Sequence, residues 1–121
     1  MKCNPNIILS AGMQRSGSTW LYNAARLLLS DDPQISKSLS CCWVEDLDKV
    51  PDEKYILIKI HEFESEIVQK SNFVFYSYRD IRDSLASGVR KFSWVPTVEM
   101  AGHLIDQYKS WVEVSDYVMK Y

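Results

Sequence analysis

Cysteine is scarce and poorly placed for crosslinking. The 121 residues hold three, Cys3, Cys41 and Cys42. The number is odd and two are neighbours, where a disulfide would close a strained ring, so a secreted disulfide framework is excluded. Cys41 and Cys42 could take a soft metal, but no cysteine or histidine near them in sequence completes a ligand set. Long apolar runs are also lacking. The longest near the N-terminus, Ile7 to Leu9, is far too short for a secretory leader or a membrane span. The expectation is a soluble, cytoplasmic protein of a reducing compartment. Repeats and low-complexity tracts are absent, and 12% aromatics with a net charge of only −2 leave too much to bury and too little repulsion for disorder. A pI near 5.6 argues against a broad nucleic-acid surface. The composition fits a single globular domain over residues 1–121, long enough to bury a core.

One further absence is local. Residues 1–30 contain no acid, only Lys2, Arg15 and Arg26, whereas residues 31–53 carry seven acids against Lys37 and Lys49. The first thirty residues are therefore cationic inside a mildly acidic chain, and an anion would prefer that end.

Hydrophobic patterning assigns the elements. Asn6 to Ala11 is a short apolar run ending at glycine, consistent with a buried strand. Leu21, Ala24, Ala25 and Leu28 mark a helix face between Thr19 and Leu29, stopped by Asp31-Asp32-Pro33. Residues 34–53 show no clean period and read as mostly loop. Tyr55 to Ile60 and Asn72 to Tyr78 are rich in β-branched and aromatic residues and read as strands, with a short helix from Phe63 to Lys70 between them. Asp80 and Asp83 open a helix carrying Ile81, Leu85 and Val89. After Val95-Pro96, a stripe from Ala101 through Trp111 to Val118 predicts a long helix from about Thr97. Alternating strands and helices imply a three-layer α/β sandwich of P-loop type with a mainly parallel sheet.

The segment Gly12-Met-Gln-Arg-Ser-Gly17-Ser18-Thr19 follows the first strand and opens the first helix. It fits the P-loop pattern at every fixed position except one, where Ser18 stands in place of lysine. Glycines let the backbone wrap closely, successive N–H groups point inward and the helix start adds positive potential, so an oxyanion is the natural guest. The lysine that reaches the outer phosphates of a nucleoside triphosphate is missing, which weakens an ATPase or GTPase reading. Arg15 could supply the charge instead.

Arg15-Ser-Gly-Ser-Thr-Trp20 resembles the 5'-phosphosulfate loop of the sulfotransferase superfamily, Lys-Ser-Gly-Thr-Thr-Trp in cytosolic members. Tyr78-Arg-Asp-Ile-Arg-Asp-Ser-Leu-Ala-Ser87 resembles its 3'-phosphate motif, with Arg79 and Ser87 at the family's spacing of eight. Lys59-Ile-His61 resembles the Lys-Thr-His that carries the general base. The three motifs stand in the family's order and cover positions 6 to 91. The resemblance implies transfer of a sulfuryl group from 3'-phosphoadenosine 5'-phosphosulfate to an acceptor hydroxyl or amine, with no metal. By the same resemblance Arg15, Ser16, Gly17, Ser18 and Thr19 hold the 5'-phosphosulfate, Trp20 stacks on adenine, and Arg79 with Ser87 binds the 3'-phosphate. His61 is the expected base, Lys59 steadies the moving group and Arg15 the leaving phosphate.

Glu62 and Glu64 are rival bases, while His103, Tyr108 and Trp111 read as surface or packing residues. Ile81 replaces a proline common in the family, and nothing matches its later glycine- and basic-rich loop. That implies a sulfotransferase core cut short, ending at Val118 to Tyr121 in what resembles the start of the family's next strand. Two alternatives stand beside it: a P-loop kinase of a small metabolite, and a truncated nucleotide-binding module without catalysis.

Overall fold

The computed structural model describes residues 4–121, so the expectations resting on Lys2 and Cys3 lie outside the described residues. Five strands form one sheet: β1 (Asn6–Gly12), β2 (Leu39–Trp43), β3 (Tyr55–Ile60), β4 (Phe73–Tyr78) and β5 (Tyr117–Lys120). Their order is β2-β3-β1-β4-β5, and every pairing is parallel. The connections carry α1 (Ser18–Asp31), α2 (Pro33–Ser36), α3 (Ser65–Lys70), α4 (Ile81–Phe92) and α5 (Val98–Val114), with a 3-10 helix at Val44–Lys49.

A parallel sheet buried on both faces requires strands apolar at successive positions. β1 and β3 meet this: Leu9, Ala11, Leu57, Ile58 and Ile60 are all buried. One face packs Ile7, Leu9, Ile58, Ile60 and Tyr76 against Ile67 of α3, Ile81 and Leu85 of α4, and Leu104 and Trp111 of α5. The other packs Leu57 and Phe75 beneath Leu21, Tyr22, Ala25 and Leu29 of α1. These layers match the expected three-layer sandwich. Trp111 anchors the larger face: it is fully buried, stacks at 6.1 Å on Tyr76, meets Phe63 edge-on, and donates its indole N–H to the carbonyl of His61 at 2.9 Å.

The helix limits follow from their caps. Asp32 accepts the N–H of Gln34, and Pro33 sits in the first turn of α2, a position where proline's missing donor costs nothing. Asp80 accepts the N–H of Arg82 to start α4, and Thr97 that of Met100 to start α5. Two expectations need correction. Residues 34–53 are not mostly loop, because they contain α2, β2 and the 3-10 helix. Leu39-Ser-Cys-Cys-Trp43 is a short, half-buried edge strand that among the described residues pairs with β3 alone, and its half-buried serine and cysteine lack the apolar alternation that marks a strand in sequence. The long helix also ends earlier than its stripe: Ser115 bonds back to Trp111, and Val118 belongs to β5.

Cys41 and Cys42, as neighbours on β2, point to opposite faces, Cys41 toward the α1 cluster and Cys42 toward the larger core. They cannot converge on one metal. Burial also pushes both thiols up, Cys42 to about 11 with help from Cys41 and Asp46, so neither is a ready thiolate.

Candidate functional site

β1 lies between β3 and β4, with α1 on one face and α4 on the other. The direction of winding therefore reverses beside β1, and open α/β sheets hold ligands in the crevice at the carboxyl ends of the strands at such a point. The loop from Gly12 to α1 follows β1. Trp43 closes β2, Lys59 and His61 lie at the end of β3, Arg79 follows β4, and Tyr121 follows β5. Parallel pairing thus gathers residues from all five strands along one edge of the sheet.

The loop is a tight cradle. A Cβ on Gly12 would overlap Ser18 and crowd the hydroxyl of Ser77. Gly17 has φ 74° and Arg15 φ 63°, left-handed conformations that are routine for glycine and uncommon for arginine. Alternating hands of this kind turn successive N–H groups inward into an anion-binding nest. Among the described residues no side chain caps α1, so the N–H groups of its first turn keep their open donors and the positive end of the helix.

Three cations face this cradle without a carboxylate partner among the described residues. The Arg15 Nε–H donates to Ser87 Oγ at 3.0 Å, and its guanidinium lies 5.0 Å from the Phe92 ring centre. Arg79 donates to the Arg15 carbonyl at 3.3 Å and covers the Tyr121 ring at 5.1 Å. Lys59 is 6% exposed; its ammonium donates to Thr19 Oγ1 at 2.7 Å and lies 4.5 Å from the Trp43 ring centre. Burial lowers its pKa. A buried cation held by a hydroxyl and an aromatic face, with no counter-charge, is a site prepared for an incoming anion.

His61 is fixed from two sides. Its Nδ1 lies 2.7 Å from the Gly12 carbonyl; a carbonyl only accepts, so Nδ1 carries the proton and Nε2 keeps a free lone pair. Trp111 holds the His61 carbonyl. Burial, opposed by the Gly12 bond and assisted by Lys59, lowers the imidazole pKa from its ordinary value, so His61 is neutral at pH 7.

Two cavities flank the loop and share Arg15, Ser18 and Thr19. The larger, about 390 Å³, also takes in Gln14, Lys59 and His61, and completes its wall with Trp43, Phe92 and Trp94. The smaller, about 190 Å³, lies between Gly17, Arg79 and Tyr121. Among the described residues no carboxylate lines either one.

Among the residues singled out in the sequence, Arg15, Gly17, Ser18, Thr19, Lys59, His61 and Arg79 converge here. Ser16 lies in the loop, but its hydroxyl turns inward: it donates to the Met13 carbonyl and lies 2.9 Å from Ser77 Oγ, tying the loop to β4. Ser87 is buried behind Arg15 and accepts its bond. Trp20 is 65% exposed on α1 and lines neither cavity. Glu62 pairs with His103 at 2.8 Å, and Glu64 lines a separate cavity beside α3; neither borders the loop. Asp80 is committed to Arg82, whose hydrogen bonds hold its carboxyl down at about 2.

Sequence reasoning passed over Trp43, Phe92, Trp94 and Tyr121. Trp43 stands opposite Lys59 in register, which is visible only once β2 is recognised as a strand. Trp94 lies in a connection just after α4, and an aromatic in a connecting segment was the one signal available.

No family model matches the chain, and no curated protein does. Among solved structures the chain is similar to one described as a possible uridine kinase from Bacillus stearothermophilus, with a TM-score of 0.60 and 12% identity, covering 98% of this chain and 90% of that one. At that identity the likeness shows the fold: a P-loop-type α/β sandwich on a five-stranded parallel sheet.

Proposed function

We propose that the chain is a sulfuryl transferase taking 3'-phosphoadenosine 5'-phosphosulfate as donor and an acceptor hydroxyl or amine. One observation carries this reading: an anion cradle stands between two cavities, one holding an oriented histidine and the other an arginine with no carboxylate partner among the described residues. The donor set suits the donor group. Open N–H groups with Arg15 and Lys59 match a phosphosulfate, and Arg79 on the far side of the loop matches a second phosphate.

In this reading the acceptor enters the larger cavity and gives its proton to His61 Nε2 as its oxygen or nitrogen bonds to sulfur. The bond from sulfur to the 5'-phosphate oxygen breaks, and its electron pair leaves with the nucleotide bisphosphate. Lys59 and the first turn of α1 face the sulfuryl oxygens, and Arg15 the leaving phosphate. Charge held in place before reaction is the main service such transfers need.

Binding tests the donor half. Arg79→Ala is expected to weaken binding of the desulfated nucleotide by about 1.5–3 kcal/mol, the scale of a charge-assisted hydrogen bond. Calorimetric titration of both proteins measures this, and equal affinities would remove Arg79 from the site.

The acid limb of kcat/KM tests the base. Because the folded pKa of His61 is lowered, the active neutral form persists below the ordinary histidine value of about 6.5. The limb is therefore expected below pH 6.5. Linkage has the same sign: stability is complete above pH 6.5 and declines as pH falls from there toward the folded pKa, since the unfolded chain protonates first. A limb above pH 7 would contradict the assignment.

The kinase reading rests on the fold likeness to the possible uridine kinase. Turnover of magnesium ATP without sulfate transfer would favour it. Against it stand Ser18 at the lysine position and two cavities that no carboxylate among the described residues lines to hold a nucleotide-bound cation. A nucleotide-binding module without catalysis would bind the nucleotide and show no turnover for His61 to govern.

A further inference from the structure

The segment that carries the histidine lies between β3 and α3, past the end of the sheet and before the first turn of the helix. Such a stretch has no ladder of its own, so its backbone groups must be satisfied from elsewhere. The partners come from α5. His103, Gln107 and Trp111 follow one another at four-residue spacing and therefore share one face of that helix. Each meets one of the three successive residues after β3: Trp111 donates its indole N–H to the His61 carbonyl at 2.9 Å, His103 pairs with the Glu62 carboxylate at 2.8 Å, and Gln107 Oε1 accepts the Phe63 N–H at 2.6 Å. None of the three helix residues lines either cavity beside the loop.

The three contacts are unequal. His103 and Glu62 stand open to water, 52% and 55% exposed, where an ion pair contributes little. Gln107 and Phe63 are half-buried, and the Phe63 ring meets Trp111 edge-on at 5.0 Å. Phe63 is thus held through its backbone by Gln107 and through its ring by Trp111. With the Trp111 bond at the His61 carbonyl, the chain from 61 to 63 is pinned at both ends.

We infer that Gln107 is a positioning residue for His61: by holding the Phe63 N–H it fixes the segment 61–63, and so keeps the imidazole with its Nδ1 proton on the Gly12 carbonyl and Nε2 free to accept. Its effect on turnover rests on the sulfuryl-transfer reading, and its effect on the ring does not. The tautomer of a neutral histidine is set by the hydrogen bond that one ring nitrogen makes. A slack segment lets the ring leave Gly12 and populate the other form, in which Nε2 carries the proton and has no lone pair to receive one. Reaction also tolerates little displacement, since a misplacement of about 1 Å can cost about a hundredfold in rate.

The test is nitrogen NMR of the imidazoles on the protein alone at about pH 8, where an ordinary histidine is neutral. Gln107→Met keeps the length and helix preference of glutamine and removes the amide acceptor. Gln107→Glu restores an acceptor oxygen at the same reach. His103→Ala leaves His61 as the sole imidazole, which assigns its signal, and removes the exposed pair. The parent, Gln107→Glu and His103→Ala are expected to carry the His61 proton on Nδ1, and Gln107→Met to show a mixture of both forms. Turnover is read as desulfated nucleotide released from the donor, with a mixture of simple alcohols, phenols and sugars as acceptors. It should fall about tenfold in Gln107→Met, within the range a displaced reacting group can lose, and by less than about twofold in the other two, as for substitutions away from such features. Affinity for the desulfated nucleotide should be unchanged in all three, so the loss lies in kcat and not in the donor site. A parent-like tautomer in Gln107→Met would overturn the inference whatever the activity, and so would unchanged turnover of that variant in an active protein. A tautomer mixture in Gln107→Met with no sulfuryl transfer by the parent would remove the sulfuryl-transfer reading and leave Gln107 as the residue that orients His61.

Discussion

On the proposed sulfuryl-transfer reading, replacing His61 with glutamine is expected to lower turnover by about 10²–10⁴-fold, the usual contribution of a positioned general base. The glutamine amide can still donate to the Gly12 carbonyl, so the loop keeps its shape, but it has no lone pair basic enough to take a proton at neutral pH. Affinity for the desulfated nucleotide should therefore be unchanged, which separates loss of the base from loss of the site. Glu62→Gln supplies the comparison. Its carboxylate is turned to His103 and borders neither cavity, so turnover should change by less than about twofold, in line with substitutions away from the reacting groups. Full turnover in His61→Gln would end its assignment as base. Loss in Glu62→Gln would move the role one residue along.

The second large effect is on stability. Trp111→Ala is expected to cost about 3–5 kcal/mol, measured by urea unfolding, because it empties a fully enclosed indole volume between Phe63 and Tyr76. For a domain whose whole margin is about 5–15 kcal/mol, that is a large share. Trp111→Phe keeps much of the ring volume but removes the N–H that holds the His61 carbonyl. It should fold with a smaller loss, while turnover falls further than nucleotide affinity, because the histidine loses one of its two fixed points. A variant that is as stable as the parent and equally active would show that the indole bond does not position His61.

The parts of the fold legible from sequence are those whose residues face a core on both sides or cap their own helix. The buried runs of β1, β3 and β4 and the cap at Asp80 are local signals, and the structure places them within one or two residues of their expected limits. β2 was missed because an edge strand of half-buried serine and cysteine has no period to detect. The end of α5 was overrun because Val118 continues a helical spacing by coincidence, while it and its neighbours pair with β4. The same division runs through the site. The loop and the residues just past β3 and β4 are readable, since chemistry there is concentrated in short motifs. The inward turn of the Ser16 hydroxyl and the aromatic cover on Lys59 depend on tertiary neighbours, which no local pattern reports.

The loop from Gly12 to Thr19 is short, yet its shape is held by partners far along the chain. Ser16 reaches Ser77, 61 residues away; Arg79 reaches Arg15 across 64, and Arg15 reaches Ser87 across 72. Ordering these contacts requires closing long stretches of chain, an entropic cost offset only where β4 lies beside β1 and α4 is in place. The loop is thus contiguous in sequence but non-local in its assembly: a peptide spanning residues 6–31 would carry the motif and not the cradle.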